Sequence, residues 1–102
     1  MEYREENIVR LNFDVENQVR EFLERTRRSI KVLKEALAKE DYENIWIIGK
    51  RMKEEAQQYG FSEIMDTGAA LENAASEKND KEIRAKTAGL AEWLRNIRIV
   101  YE

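Results

Sequence analysis

The sequence predicts an all-α protein, an up-down-up-down antiparallel four-helix bundle with a short N-terminal lead-in. Three observations carry that expectation. The 102 residues include no proline, so the commonest helix breaker is missing. Charged residues make up 38% of the chain and hydrophobic ones 42%, the balance of long amphipathic helices. From about Val15 onward, apolar residues recur at steps of three and four, in blocks separated by short polar or glycine-containing breaks. A chain of this length fits one domain, residues 1–102, with a lead-in over 1–13 and a helical bundle from about 15 to 102.

Within the lead-in, "IVRLNFDV" places Val9, Leu11, Phe13 and Val15 at period two, so a short extended or irregular segment packs against the body. Asp14 is the candidate cap of the first helix. That helix spans about Val15 to Lys39, with a stripe of Val19, Phe22, Leu23, Thr26, Ile30, Leu33 and Leu37. "AKED" ends it and offers Asp41 as the next cap. The second helix, about Tyr42 to Tyr59, carries Tyr42, Ile45, Gly49, Met52, Ala56 and Tyr59 on one stripe and stops at Gly60.

Ser62 is the candidate cap of a third helix with the stripe Phe61, Ile64, Gly68, Leu71 and Ala75. After "SEKND", Asn79 or Asp80 caps a fourth helix that buries Ile83, Thr87, Leu90, Leu94, Ile97 and Tyr101. Short connections between amphipathic helices favour antiparallel neighbours, hence the bundle. Gly49, Ala56, Gly68 and Ala75 would let the second and third helices approach closely.

Composition excludes several chemistries. Without cysteine or histidine, the chain has no thiol nucleophile, no imidazole base and none of the usual transition-metal ligands. No spaced Asp/Asn/Gly loop of the calcium-binding kind occurs, so neither metal nor cofactor is expected. A net charge of −3 leaves no footprint for nucleic acid. The longest apolar run, "IWII", is far too short for a membrane span. The start "MEYREENIVR" lacks the apolar core of a signal peptide. A cytoplasmic location is the expectation.

The candidate site lies on the second helix, around "IIGKRMKEEAQQYGF". Trp46 sits one turn before Lys50, on the face it shares with Lys53 and Gln57. A tryptophan beside cations is typical of interface centres; alternatively it folds down over the bundle edge. Lys50, Arg51 and Lys53 form a cationic cluster that suits an acidic partner. Its plainer reading is a solvated face with Lys50 paired to Glu54. "RTRR", Arg25 to Arg28, reads as a solvated face. Trp93 and Ile99 fall beside the main stripe of the last helix, through wider burial or through a homodimer contact.

The middle of the chain, "ALAKEDYENIWIIGKRMK" followed by "YGFSEIMDTGAALENAA", resembles the histidine-containing phosphotransfer (HPt) domain of bacterial phosphorelays. That family reads, roughly, an Ala-Leu and Asp-aromatic lead-in, then Ala/Gly-His-x-Leu/Met-Lys-Gly, a later glycine and a Leu-Glu helix. The matching residues here are Ala36-Leu37, Asp41-Tyr42, Gly49, Met52, Lys53, Gly60 and Leu71-Glu72. The likeness runs from about Val19 to the C-terminus without a gap. Two departures fall on functional positions: Lys50 stands where the family has its phosphorylated histidine, and Glu54 where it has the following glycine. The resemblance implies that such a histidine accepts a phosphoryl group from a receiver aspartate. It also implies that the lysine three residues on helps hold the phosphate, and that the glycine leaves room for the receiver.

Lys50 is a poor replacement. A solvated lysine is protonated near neutrality and lacks the lone pair that neutral imidazole offers. Glu54 adds a carboxylate where phosphate would develop negative charge. The expectation is therefore a non-enzymatic, histidine-less HPt-like module of phosphorelay (two-component) signalling. Its partner would be the receiver domain of a response regulator or a histidine kinase, bound through Trp46, Lys50, Arg51, Lys53, Glu54 and Gln57 with no catalytic residue. The alternatives are a stand-alone structural or oligomerisation module and, last, phosphotransfer through Lys50.

Overall fold

Where the apolar stripes break, the chain turns. The computed structural model describes residues 8–102; the part of the lead-in before Ile8 lies outside the described residues. Strand β1 (Ile8–Leu11) passes through a 3-10 turn (Phe13–Val15) into helix α1 (Glu16–Ala38). Helices α2 (Tyr42–Tyr59), α3 (Ser62–Ser76) and α4 (Asp80–Asn96) follow, and strand β2 (Arg98–Tyr101) closes the chain. Each helix packs on its sequence neighbour, and α1 also packs on α4. The helices thus form a closed antiparallel ring around one core.

The caps explain the helix ends. The Asp41 carboxylate accepts from the backbone N–H of Asn44 at 3.2 Å, and Asn79 does the same for Glu82 at 3.1 Å. Each satisfies one of the amide donors that a helix start leaves without a partner. Gly60 ends α2 at φ 75°, in the left-handed region where a side chain is strained.

Two expected caps differ. Asp14 lies inside the 3-10 turn, which Asn12 caps by accepting from the Asp14 N–H at 2.8 Å; α1 starts after Val15 with no side-chain cap. Helix α3 begins at Ser62 itself, with Phe61 at the capping position. The Phe61 ring is buried against Phe22, their centroids 5.8 Å apart. Packing of this ring, rather than a hydroxyl, fixes where α3 starts.

The core follows the stripes. Val19, Phe22, Leu33, Ile45, Ile64, Leu71, Ile83 and Leu90 are fully buried. Ile48, off the expected stripe of α2, is buried as well. Thr26 and Thr87 enter the core without an unsatisfied hydroxyl, because each donates to the carbonyl four residues back, Phe22 at 2.9 Å and Ile83 at 2.7 Å. Arg25, expected on a solvated face, pairs with Glu55 at 2.8 Å and so ties α1 to α2.

The end of the chain departs from the expected helix. α4 stops at Asn96, Ile97 turns extended (ψ 142°), and β2 pairs in parallel with β1, Ile8 opposite Arg98 and Leu11 opposite Tyr101. Ile97 and Tyr101 fit a helical stripe after Leu94, but Ile97, Ile99 and Tyr101 fit period two equally well. The β-branched run "IRIV" and an available partner strand decide for the sheet. Parallel strands need a long crossover, and here the whole bundle supplies it. Phe13, expected inward with Val9 and Leu11, is 65% exposed, because the alternation ends with the strand at Leu11.

Candidate functional site

The site is built on a close crossing of α2 and α3. A methyl group at Gly49 would lie 2.8 Å from the Gly68 carbonyl oxygen and 2.9 Å from the Glu72 amide nitrogen. One at Gly68 would lie 2.6 Å from the Gly49 oxygen and 2.7 Å from the Lys53 nitrogen. The two helices thus touch backbone to backbone, and only glycine fits at either position. The segments mirror each other, Gly49-x-x-x-Lys53 against Gly68-x-x-x-Glu72. Each glycine receives the backbone of the other helix's charged residue.

This register sets the electrostatics. The Lys53 ammonium donates to Glu72 Oε1 at 2.6 Å, with side chains 37% and 18% exposed. A half-buried pair of this kind is screened less than a surface pair. Lys53 is therefore held across the crossing rather than reaching into solvent, and Glu72 satisfies it.

One turn earlier, Trp46 is 37% exposed, and Lys50 Nζ stands 5.4 Å from the centre of its ring, within cation–π range. This corrects one expectation. Lys50 forms no ion pair with Glu54 among the described residues; it turns back to the aromatic ring, and Glu54 faces solvent. Trp46 does not fold down fully over the bundle edge. It forms one lip of an open groove of about 440 Å³ whose other walls are Lys53, Ala69, Ala70, Glu72, Asn73 and Ser76.

Of the six residues proposed from sequence, Trp46, Lys50 and Lys53 are brought together here. Gln57 is exposed farther along the same helix face. Arg51 is separated from the groove, lying on the α1 side of α2 beside Arg25, Ile48 and Glu55. The α3 wall of the groove, Ala69 to Ser76, was not among the sequence-derived candidates. The repeated glycine-to-charge spacing was the signal that could have found Glu72.

Trp93 and Ile99 are accounted for by wider burial. Trp93 packs edge-on to Phe61 at 6.2 Å between centroids, and Ile99 lies against the core from β2. No group of three or more carboxylates among the described residues could hold a metal ion. Nor is any helix among them long and apolar enough to cross a membrane.

The groove offers an aromatic surface, one solvent-facing cation, one internally paired cation and small side chains on the opposite wall. Polar groups on that wall are the Glu72 carboxylate, the Asn73 amide and the Ser76 hydroxyl. Comparisons with known protein families, with curated proteins and with solved structures found no match for this chain.

Proposed function

We propose that the chain is a histidine-less HPt-like module of phosphorelay signalling. It docks a receiver domain or a histidine kinase on the α2–α3 face without accepting phosphate. Occupying the surface that a phosphate-accepting module needs would let it inhibit or buffer a relay. The observation that carries the reading is the half-exposed Trp46, capped by Lys50, at the lip of a groove beside a helix crossing that admits no side chain. An aromatic anchor on a rigid base loses little entropy on binding, which is why such residues dominate interface energetics.

Supporting chemistry comes from the same residues. Lys50 stands at mid-helix, where the resemblance puts the phospho-acceptor, and it is solvent-facing with an aromatic ring as its only side-chain partner among the described residues. Lys53, the lysine that would hold phosphate, is engaged by Glu72. Both features favour binding over transfer.

The test is a titration of the protein against receiver domains and histidine kinases from its own genome, read by calorimetry. Binding to at least one is expected, weakened about thirtyfold by Trp46→Ala, the loss typical of a hot-spot residue. Absence of binding to all of them, or equal binding by the variant, removes the reading. Incubation with a phosphorylated receiver should leave the protein unlabelled; a phosphoramidate on Lys50 would move it to the transfer class.

A further inference from the structure

A second concave surface lies on the opposite side of the ring, between α1 and α4. It is a groove of about 240 Å³ with Leu33, Leu37, Ala88 and Ala91 along its floor and Lys34, Arg84 and Arg95 around it. On α4 these residues fall on one line, Arg84, Ala88, Ala91 and Arg95, at helical steps of four, three and four. The two arginines are thus about 16 Å apart, three turns of helix, with only small side chains between them. Lys34 faces this line from α1.

Charge makes the groove unusual in this molecule. The chain as a whole carries −3, yet no carboxylate lines this surface. Arg95 pairs with Glu92 on its own helix. Lys34 and Arg84 have no ion-pair partner among the described residues, and both are exposed. An apolar floor flanked by two unneutralised cations, Lys34 and Arg84, favours an acidic amphipathic ligand over a basic one.

We propose that the α1–α4 groove is a docking site for an acidic amphipathic helix of a partner protein. The partner's apolar side chains would lie over Ala88 and Ala91. Its carboxylates would meet Arg84 and Lys34, while Arg95, already paired with Glu92, borders the far end of the line. This is the helix-in-groove mode, with anchors repeating along one face of the incoming helix. The site is independent of the Trp46 face, so one module could hold two proteins at once.

The probe is a synthetic helical peptide of Glu, Leu and Ala, about four turns long, with a control peptide in which glutamine replaces every glutamate. Backbone amide spectra of the full chain are followed during titration. Shifts are expected to concentrate in Leu33–Leu37 and Arg84–Arg95, with binding weakened about tenfold by Arg84→Glu and by Lys34→Glu, and weakened by added salt. Either variant serves if the other fails to keep a native helical spectrum. Equal binding of the glutamine peptide, shifts centred on the Trp46 face, or no saturable shifts would overturn the proposal. So would concentration-dependent shifts in this groove without peptide, which would assign it to a second copy of the chain.

Discussion

The two opposite seams of the ring are built in contrasting ways. Between α2 and α3, Gly49 and Gly68 let backbones touch, and a methyl group at either would lie within 3 Å of main-chain atoms of the other helix. Between α1 and α4, leucine, threonine and alanine side chains leave a groove of about 240 Å³. The first seam has no slack, so the side chains that flank it, Trp46, Lys53 and Glu72, are held in one register. The second is filled by side chains, and its groove runs between them. Both seams border a groove, of about 440 Å³ beside the first and about 240 Å³ at the second, but only the first rests on a backbone contact that fixes its register.

The contrast is broken most directly at Gly68. Gly68→Ala would place a methyl 2.6 Å from the Gly49 oxygen and 2.7 Å from the Lys53 nitrogen. Both are main-chain atoms and cannot rotate away, so the helices must separate. Overpacking of this kind costs roughly 1–3 kcal/mol and sometimes more, and the rigid neighbours put this case at the upper end. The better helix propensity of alanine returns about 1 kcal/mol. A net loss of about 2 kcal/mol is expected, a fall in melting temperature on the order of 10 °C for a domain of this size. An unchanged melting temperature would mean that the seam has slack after all.

Gly89 sharpens the same comparison from the other side. It lies inside α4, and a methyl there meets nothing within 4 Å. Gly89→Ala should therefore stabilise the protein by about 0.5–1 kcal/mol, the gain from removing a flexible residue from a helix interior. Chemical denaturation of the two variants side by side would give opposite signs for the same chemical change. Destabilisation by Gly89→Ala would indicate that the outer surface of α4 is more crowded than the contrast requires.

Much of this was legible in the sequence. The stripes of α1 to α4 are periodic over whole helices, and burial at that spacing leaves few other folds. The role of Gly49 and Gly68 followed from small residues standing on two facing stripes. What was not legible depended on partners remote in sequence. "RIVY" is compatible with either period, and only "IVRL", some ninety residues earlier, makes it a strand. Lys50 has Trp46 one turn before it and Glu54 one turn after, both within reach. The choice between a cation–π contact and an ion pair depends on side-chain rotamers rather than spacing. Arg51 adjoins Lys50 in sequence, but the helix turns it toward α1, so adjacency overstated the cluster.

The smallest expected effect concerns the bond that joins a helix of one seam to a helix of the other. The Tyr42 hydroxyl donates to Asp80 Oδ1 at 2.5 Å, linking the first turn of α2 to the first turn of α4. That hydrogen bond to a carboxylate holds the proton on the phenol and, with burial and the Asp80 charge, pushes its pKa from 10.0 up to about 12. The folded value is raised, so the stabilisation is fully present below 10 and is lost as pH climbs toward 12. Tyr42→Phe should therefore destabilise the protein by a constant amount from neutral pH to about 10, and the difference from the parent should shrink between about 10 and 12. Urea midpoints measured at several pH values in both proteins test this, since the two differ only in the Tyr42 hydroxyl. A gap that stays constant through that window would show that the carboxylate is not what holds the phenolic proton, and that α2 and α4 are joined at this end by packing alone.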